Sequence, residues 1–337
     1  MSDPTSPFPG SYEIVEAPGM VMVRRPSRRW WLHLLLLLLT ILTTLIVGSR
    51  LEYNFLRNRP PYASEDDLFP VRWALTQPSR LLLGIPFSAT LMLILLAHEM
   101  GHYFYCVRYR VYATLPFFIP APTLIGTLGA FIRIKAPIRS RHALFDIGIA
   151  GPIAGFCVAL PALIVALALS HPGAGMSDSA VEFSFPLVFH LVQSGRGSSL
   201  PLEALNLHPM AIAAWVGMFA TALNLLPGGQ LDGGHIVYAL WPRAHRWISR
   251  ITVLLLLLGT RWWLGWGVWA VLLAASGMRH PQVGPAWLRF GGVVEEDPWP
   301  RLGRTRVLLA VFAGLMLALT FMPAPFPGAG LDWHIGR

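Results

Sequence analysis

A group of polar residues interrupts a long apolar stretch near residue 100. His98, Glu99 and His102 form the pattern H-E-x-x-H inside the apolar run from about Leu81 to Tyr105. Positions i and i+4 of a helix share one face, so both imidazoles can bind the same Zn²⁺ ion. Glu99, which adjoins the first of these ligands, is placed to act as a general base. Ionisable residues within a membrane segment are costly, and they therefore predict a functional site.

A second polar group lies in a Gly- and Pro-rich segment that runs Asn224-Leu-Leu-Pro-Gly-Gly-Gln-Leu-Asp-Gly-Gly-His. Catalytic zinc has three protein ligands and an open position, and Asp232 is the best candidate for the third ligand. The alternative is a plain turn, because Asp is a common turn residue. A broken helix at membrane depth is tolerated only when it is buried in protein or lines a cavity, which favours the ligand. His235 fits a supporting role better.

Asn224 lies eight residues before Asp232. Its amide could bind the backbone of a peptide substrate or the oxyanion that forms during attack on a carbonyl. Alternatively, it could bond to a local carbonyl that Pro227 leaves without a donor. The sequence leaves both roles open.

The composition is that of an integral membrane protein. Of 337 residues, 54% are hydrophobic and 13% are charged, and the mean hydropathy is +0.54. Soluble domains have about 45–50% apolar and about 25% charged residues, so a disordered chain, a coiled coil and most soluble folds are excluded. The net charge is +9, and the basic residues cluster in short stretches beside the apolar runs. This pattern is typical of loops that face anionic lipid, so we expect the lipid bilayer as a partner and no nucleic acid.

The apolar runs predict an all-α polytopic membrane protein with about six or seven membrane segments. The clearest runs are 30–47, 81–105, 147–169, 210–226 and 307–321. The run 251–276 is interrupted by Arg261 and has basic residues on both sides. A helical hairpin explains these flanks better than one long tilted span. Four Trp residues of this run, at 262, 263, 266 and 269, are expected to be interfacial anchors.

The charge pattern also predicts topology. Residues 107–145 contain six basic residues and no acid, which places them in the cytoplasm together with the N-terminus. The expected organisation is a cytoplasmic tail (1–29), an anchor span with an external loop (30–80), a catalytic core (81–276), a cytoplasmic loop (277–306) and a C-terminal span with its tail (307–337). No transit peptide is visible, so a bacterial inner (cytoplasmic) membrane is the simplest location.

A small membrane-associated β element is expected between the helix of His98 and the following span. Residues 126–135 are rich in β-branched and alternating residues, and they follow the Pro-rich run 116–122. A β-hairpin or edge strand could hold a substrate extended by β-addition, with Gly129 permitting close backbone approach. A plain amphipathic loop on the lipid surface is an equally weighted alternative.

These motifs resemble the site-2 protease family of intramembrane zinc metalloproteases. The matching strings are His98-Glu99-x-x-His102, Asn224-x-x-Pro227 with Leu231-Asp232-Gly233, Gly126-Thr-Leu-Gly-Ala130 and Ala150-Gly-Pro-Ile-Ala-Gly-Phe156. The resemblance covers about 81–276. The longest external loop, 171–207, is too short for a PDZ domain of roughly 80–100 residues, so we expect the subgroup without that domain.

The resemblance implies a function. It assigns His98, His102 and Asp232 as zinc ligands, Glu99 as the base, and Asn224 as a substrate or transition-state contact. It also implies transmembrane protein substrates that are cut in or near their membrane segment, as in regulated intramembrane proteolysis. The rival hypothesis is a non-catalytic zinc-binding protein, either a zinc carrier or a pseudoprotease. A single site with its base intact favours the enzyme.

Overall fold

The computed structural model describes residues 13–17, 20–24, 30–136, 138, 140–175, 178–198, 200–275 and 302–331, with side chains from residue 30 onward. The helices are α1 (Trp30–Leu56), α2 (Val71–Thr76), α3 (Ile85–Arg108), α4 (Arg141–Leu169), α5 (Leu187–Gly195), α6 (Pro209–Asn224), α7 (Asp232–Leu240), α8 (Pro242–Gly259), α9 (Gly265–Ala275) and α10 (Arg304–Thr320). The strands are β1 (Glu13–Ala17), β2 (Met20–Arg24), β3 (Phe117–Pro120), β4 (Thr127–Phe131), β5 (His171–Pro172) and β6 (Leu205–Asn206). Each strand pairs with one other: β1 with β2, β3 with β4, and β5 with β6.

The longest apolar helices confirm a membrane protein. In the described part of the chain, α1, α4 and the helical stretch Pro78–Arg108 are long and apolar enough to cross a bilayer. Both α6 and α9 are apolar but shorter. A bilayer core of about 30 Å needs roughly 20 helical residues. The total of six or seven membrane segments therefore stays a prediction.

Residues 251–276 do not form one continuous helix. Helix α8 ends at Gly259, α9 begins at Gly265, and the two helices pack against each other. This arrangement agrees with the predicted hairpin and not with a single span. The expectation of four interfacial Trp residues is wrong for Trp266. Its side chain is buried, and its indole Nε1 donates to the carbonyl of Pro323 at 2.7 Å.

The predicted β element is present as an antiparallel hairpin, so the plain-loop alternative is wrong. Phe117 of β3 lies opposite Phe131 of β4, and their rings stack. The hairpin packs along α1. At Gly126 the φ angle is +77°, and a Cβ there would lie 2.6 Å from the carbonyl oxygen of Thr43 on α1. Glycine is therefore required for both the turn and the close approach.

Two predicted segments fall largely outside the described residues. The cytoplasmic loop 277–306 is described only from residue 302. Within the tail 1–29, the described residues form the β1–β2 hairpin. The remaining tail residues, 1–12, 18–19 and 25–29, are not described.

Helices α3, α4 and α6 form the centre of the molecule, and α7 packs on α4. A Cβ at Gly101 of α3 would lie 2.5 Å from the carbonyl oxygen of Ala150 on α4, so the two backbones cross at very short distance. Asp146 belongs to this framework and not to the polar cluster around His98. Its carboxylate accepts from Arg306 of α10 at 2.8 and 2.7 Å and from the hydroxyl of Tyr109.

Candidate metal centre

Helix α3 brings two imidazoles together in a buried position. The side chains of His98 and His102 are each 9% exposed, and their Nε2 atoms are 3.2 Å apart. Nδ1 of His102 lies 2.7 Å from the carbonyl oxygen of Ile147 on α4. A carbonyl can only accept, so the proton is on Nδ1 and the Nε2 lone pair points into the site. Such a bond to the far nitrogen is what orients histidines that bind metals.

Helix α4 leaves room for these rings through a stripe of glycines. A Cβ at Gly151 would lie 2.1 Å from Nε2 of His102, and one at Gly155 would lie 3.3 Å from the His98 ring. A Cβ at Gly148 would likewise lie 3.0 Å from the Cβ of His235. The three glycines follow the i, i+3, i+7 spacing of one helix face. The stripe therefore determines how closely α4 approaches the site.

The second arm of the site is a helix that stops and restarts. Helix α6 ends at Asn224, and Asp232 is the first residue of α7. Oδ2 of Asp232 lies 3.4 Å from Nε2 of His98 and 3.3 Å from Nε2 of His102. A Cβ at Gly233 would lie 2.2 Å from the carbonyl oxygen of Leu225, so only glycine permits this turn.

Helix α8 supplies hydrogen-bond partners to the interrupted backbone. The Ser249 hydroxyl accepts from the N–H of Gly229 at 3.1 Å, and Nε2 of His245 donates to the Gly229 carbonyl at 3.1 Å. The Thr252 hydroxyl donates to the Pro227 carbonyl at 3.2 Å. Backbone groups freed by a helix break must be paired when water is excluded. These bonds satisfy that requirement and fix the loop before Asp232.

Asn224 points toward the metal ligands. Its side-chain amide nitrogen lies 3.3 Å from Nε2 of His98. The amide therefore lies beside the proposed metal ligands.

Glu99 lies beside the cluster and contacts the β element. Its side chain is buried, and the backbone N–H of Ile132, just beyond β4, lies near its carboxylate. Gly129 lies on β4 itself, outside the group of metal-ligating atoms. It has a φ of +98°, and a Cβ built there would meet nothing within 4 Å.

Several contributors were not found from the sequence, and Ile132, Ile147 and Gly148 are three of them. The backbone groups of Ile132 and Ile147 carry no side-chain signal, so no residue pattern could have identified them. Gly148 could have been identified, because it continues the helical spacing of Gly151 and Gly155. Its role becomes evident only when α7 is seen to pack on α4.

The donor set fits a zinc ion. Two imidazole nitrogens and one carboxylate oxygen are ligands that zinc uses in catalytic sites. Ligand bonds of about 2.0–2.1 Å in a tetrahedron separate the ligand atoms by about 3.3–3.4 Å. The observed separations among the three facing atoms are 3.2, 3.3 and 3.4 Å. Among the described residues, His98, His102 and Asp232 are the one such group of potential ligands.

Comparisons with known proteins point to a peptidase family. The family model of Peptidase family M50 matches residues 86–259, which include every residue of the donor set. A rice (Oryza sativa subsp. japonica) protein named "Probable zinc metalloprotease EGY1, chloroplastic" is 37% identical over 158 residues, covering 45% of this chain and 27% of the relative.

Two Arabidopsis thaliana proteins show the same relationship. "Probable zinc metalloprotease EGY2, chloroplastic" is 32% identical over 193 residues, covering 56% of this chain and 34% of the relative. "Probable zinc metallopeptidase EGY3, chloroplastic" is 26% identical over 261 residues, covering 71% of this chain and 43% of the relative. The chain spans less than half the length of each of these relatives.

Proposed function

The chain belongs to peptidase family M50, and from that membership we propose that it is an intramembrane zinc metalloendopeptidase. Its substrates are membrane proteins, and it hydrolyses peptide bonds in or near their transmembrane segments. The observation that carries the proposal is the convergence of three ligand atoms beside the buried Glu99, within apolar helices. The zinc-metalloprotease names of the plant relatives support the same activity.

His98, His102 and Asp232 would hold the zinc ion. When bound, zinc supplies Lewis-acid chemistry that polarises a carbonyl and lowers the pKa of water toward about 7. Glu99 accepts a proton from the attacking water and then donates it to the leaving amine. The N–H of Ile132 lies near the Glu99 carboxylate. The Asn224 amide lies close enough to the ligands to stabilise the oxyanion or to hold the substrate backbone.

The edge of β4 and its continuation provide a place for the substrate backbone. The N–H of Thr114 donates to the Arg133 carbonyl at 3.0 Å, and the N–H of Lys135 donates to the Tyr112 carbonyl at 2.9 Å. Residues 133 and 135 thus turn their backbone groups toward residues 112–114. Since these directions alternate along a strand, residues 132 and 134 present theirs at the opposite edge. The contact of the Ile132 N–H with Glu99 indicates that this edge faces the catalytic base.

A substrate that unwinds locally would add a strand to this edge, with its scissile bond near Glu99. Gly129 keeps the approach along β4 open, because no side chain projects there. In this proposal Gly129 and Asn224 are the substrate-binding residues. Extended binding also exposes the peptide carbonyl, which a helix keeps hydrogen-bonded.

Glu99→Gln tests the enzymatic role directly. We expect zinc content to be retained and cleavage of a single-span model substrate to fall by about 10²–10⁴-fold, because the amide cannot accept the proton. Zinc is measured on the purified protein, and cleavage is measured in vesicles. Bound zinc in the wild type without any cleavage that depends on Glu99 would favour the zinc carrier or pseudoprotease.

Ile134→Pro tests the strand edge, since it removes an N–H from the open edge and leaves the bonds to residues 112–114 in place. Loss of one backbone hydrogen bond to substrate should lower cleavage about 2–10-fold, with zinc unchanged. Ile134→Ala is the matched control, because it removes the side chain and keeps the N–H. Equal rates in the two variants would contradict binding at this edge.

The proposed orientation places the N-terminus and the basic residues around β4 in the cytoplasm. Arg243 is exposed. The cysteine of the variant Arg243→Cys should then react with an impermeant thiol reagent only when the reagent is added on the cytoplasmic side. Labelling of that cysteine by an impermeant external reagent would invert the topology. The relatives' names assign them to chloroplasts, so a bacterial inner membrane stays a prediction.

A further inference from the structure

An apolar groove of about 500 Å³ separates α7 from α10. Its α7 wall consists of Gly233, Ile236, Val237 and Leu240, which follow the i, i+3, i+4, i+7 spacing of one helix face. None of the proposed zinc ligands, nor Glu99, lines the groove in the described part of the chain. The groove is therefore a separate feature, which adjoins the metal centre through Leu225, Pro227 and Gly233, the sequence neighbours of Asn224 and Asp232 in the α6–α7 segment.

The α10 wall repeats the same spacing with smaller residues. Val307, Ala310, Val311 and Gly314 give it that spacing, Ala313 and Leu317 complete the wall, and a Cβ built at Gly314 would meet nothing within 4 Å. The small side chains are what keep the groove open. Helix α10 lies outside residues 86–259, so this wall is not part of the segment that matches the family.

One end of the groove is cationic. Arg141 is the charged side chain among the described lining residues. Its Nε donates to the carbonyl of Ala239 at 2.8 Å, and its Nη2 donates to the carbonyls of Ala239 and Leu240, the latter at 3.2 Å. Its guanidinium is thus held at the C-terminal end of α7. Two further exposed arginines, Arg243 and Arg304, each lie two residues beyond a lining residue. The opposite end, lined by Pro227 and Leu317, is apolar.

We propose that this groove binds one acyl chain of an anionic phospholipid, with the phosphate beside Arg141. From residue 307 to residue 317, α10 rises about 15 Å, which is half of an about 30 Å hydrocarbon core and so the depth of one leaflet. A cation at the headgroup level above an apolar slot matches an anionic amphiphile in charge and polarity.

The shape of the groove suits a single acyl chain. Each of its two long walls is one face of one helix, and an acyl chain is much thinner than a helix of about 10 Å diameter.

Lipid retention measured by native mass spectrometry tests the proposal. The full chain is reconstituted in nanodiscs of equal parts phosphatidylglycerol and phosphatidylcholine and is then released. We expect wild type to retain phosphatidylglycerol and Gly314→Phe to retain it at least about tenfold less, because the ring removes the chain's apolar burial. Gly314→Ala is the matched control, since it gains helix propensity while adding only one methyl group.

Arg141→Gln separates the two halves of the site. It should keep lipid in the groove but lose the preference for phosphatidylglycerol over phosphatidylcholine. Unchanged zinc content shows that a variant is folded. If Gly314→Phe loses zinc, Ala310→Leu narrows the same groove and must show the same loss of lipid.

Two results would overturn the proposal. One is equal retention of lipid by Gly314→Phe and Gly314→Ala, or no retained lipid in wild type. The other is displacement of the lipid by a single-span peptide, which would make the groove a substrate site.

Discussion

The two arms of the metal centre are built in opposite ways. Helix α3 presents His98 and His102 from an uninterrupted helix, whereas Asn224 and Asp232 come from a helix that stops and restarts. In α3 the spacing of the ligands follows from the helix itself. In the α6–α7 arm the position of Asp232 depends on bonds from α8 to the intervening loop.

This difference shows where local sequence determines the site and where packing does. The continuous arm needs helix formation, space against α4 and the Ile147 carbonyl that orients His102. The broken arm needs glycines where backbones touch and donors or acceptors from another helix. On the α3 arm, substitutions should therefore act mainly by removing a ligand or by filling the space that its imidazole occupies. On the α6–α7 arm, they should also act through the α8 side chains that bond to the loop.

The largest effect is expected when a ligand is removed from the broken arm. Asp232→Ala leaves two imidazoles, so zinc content and cleavage should both fall to background, as in His102→Ala. Metal analysis of the purified variants, together with cleavage of a single-span substrate, measures this. If Asp232→Ala keeps full zinc and activity, the third ligand lies elsewhere, and His235 becomes the leading candidate.

A smaller but substantial effect is expected from Gly151→Ala on the continuous arm. The new Cβ would lie 2.1 Å from Nε2 of His102, so the ring or α4 must shift. A displacement of about 1 Å at a catalytic group can cost about 100-fold in rate. Gly155→Ala is the matched control, because its Cβ would lie 3.3 Å from His98 and needs only slight relaxation. Equal activities in the two variants would contradict the proposed role of the stripe.

Much of the continuous arm could be predicted from the sequence. The i, i+4 spacing places both histidines on one face, and the small residues on the third predicted span indicate a close helix partner. The predicted apolar runs 147–169 and 210–226 correspond to α4 and α6. They begin within about six residues of the helix starts and finish within two residues of the helix ends.

The broken arm was less predictable. Asp232 could be selected as a ligand by its chemistry, yet the partners that fix its loop, Ser249, His245 and Thr252, lie on α8 and share no motif with it. Trp266 was likewise misassigned, because interfacial and buried Trp residues have the same composition signal. Such long-range contacts depend on how helices pack, and a single sequence does not encode them in any local spacing.

The smallest effect compares supports of the two arms. Ser249→Ala removes the acceptor for the N–H of Gly229, and Thr90→Val removes a hydroxyl that bonds within α3 to the Pro86 carbonyl at 2.7 Å. An unsatisfied buried N–H costs about 1–3 kcal/mol, so Ser249→Ala should lower stability by that amount and cleavage by a few fold, with zinc retained. Thr90→Val leaves the helical backbone paired and should change cleavage little. Thermal unfolding and initial cleavage rates, measured in the same detergent, distinguish the two variants. A larger loss of stability and activity in Thr90→Val than in Ser249→Ala would contradict the proposed difference between the two arms.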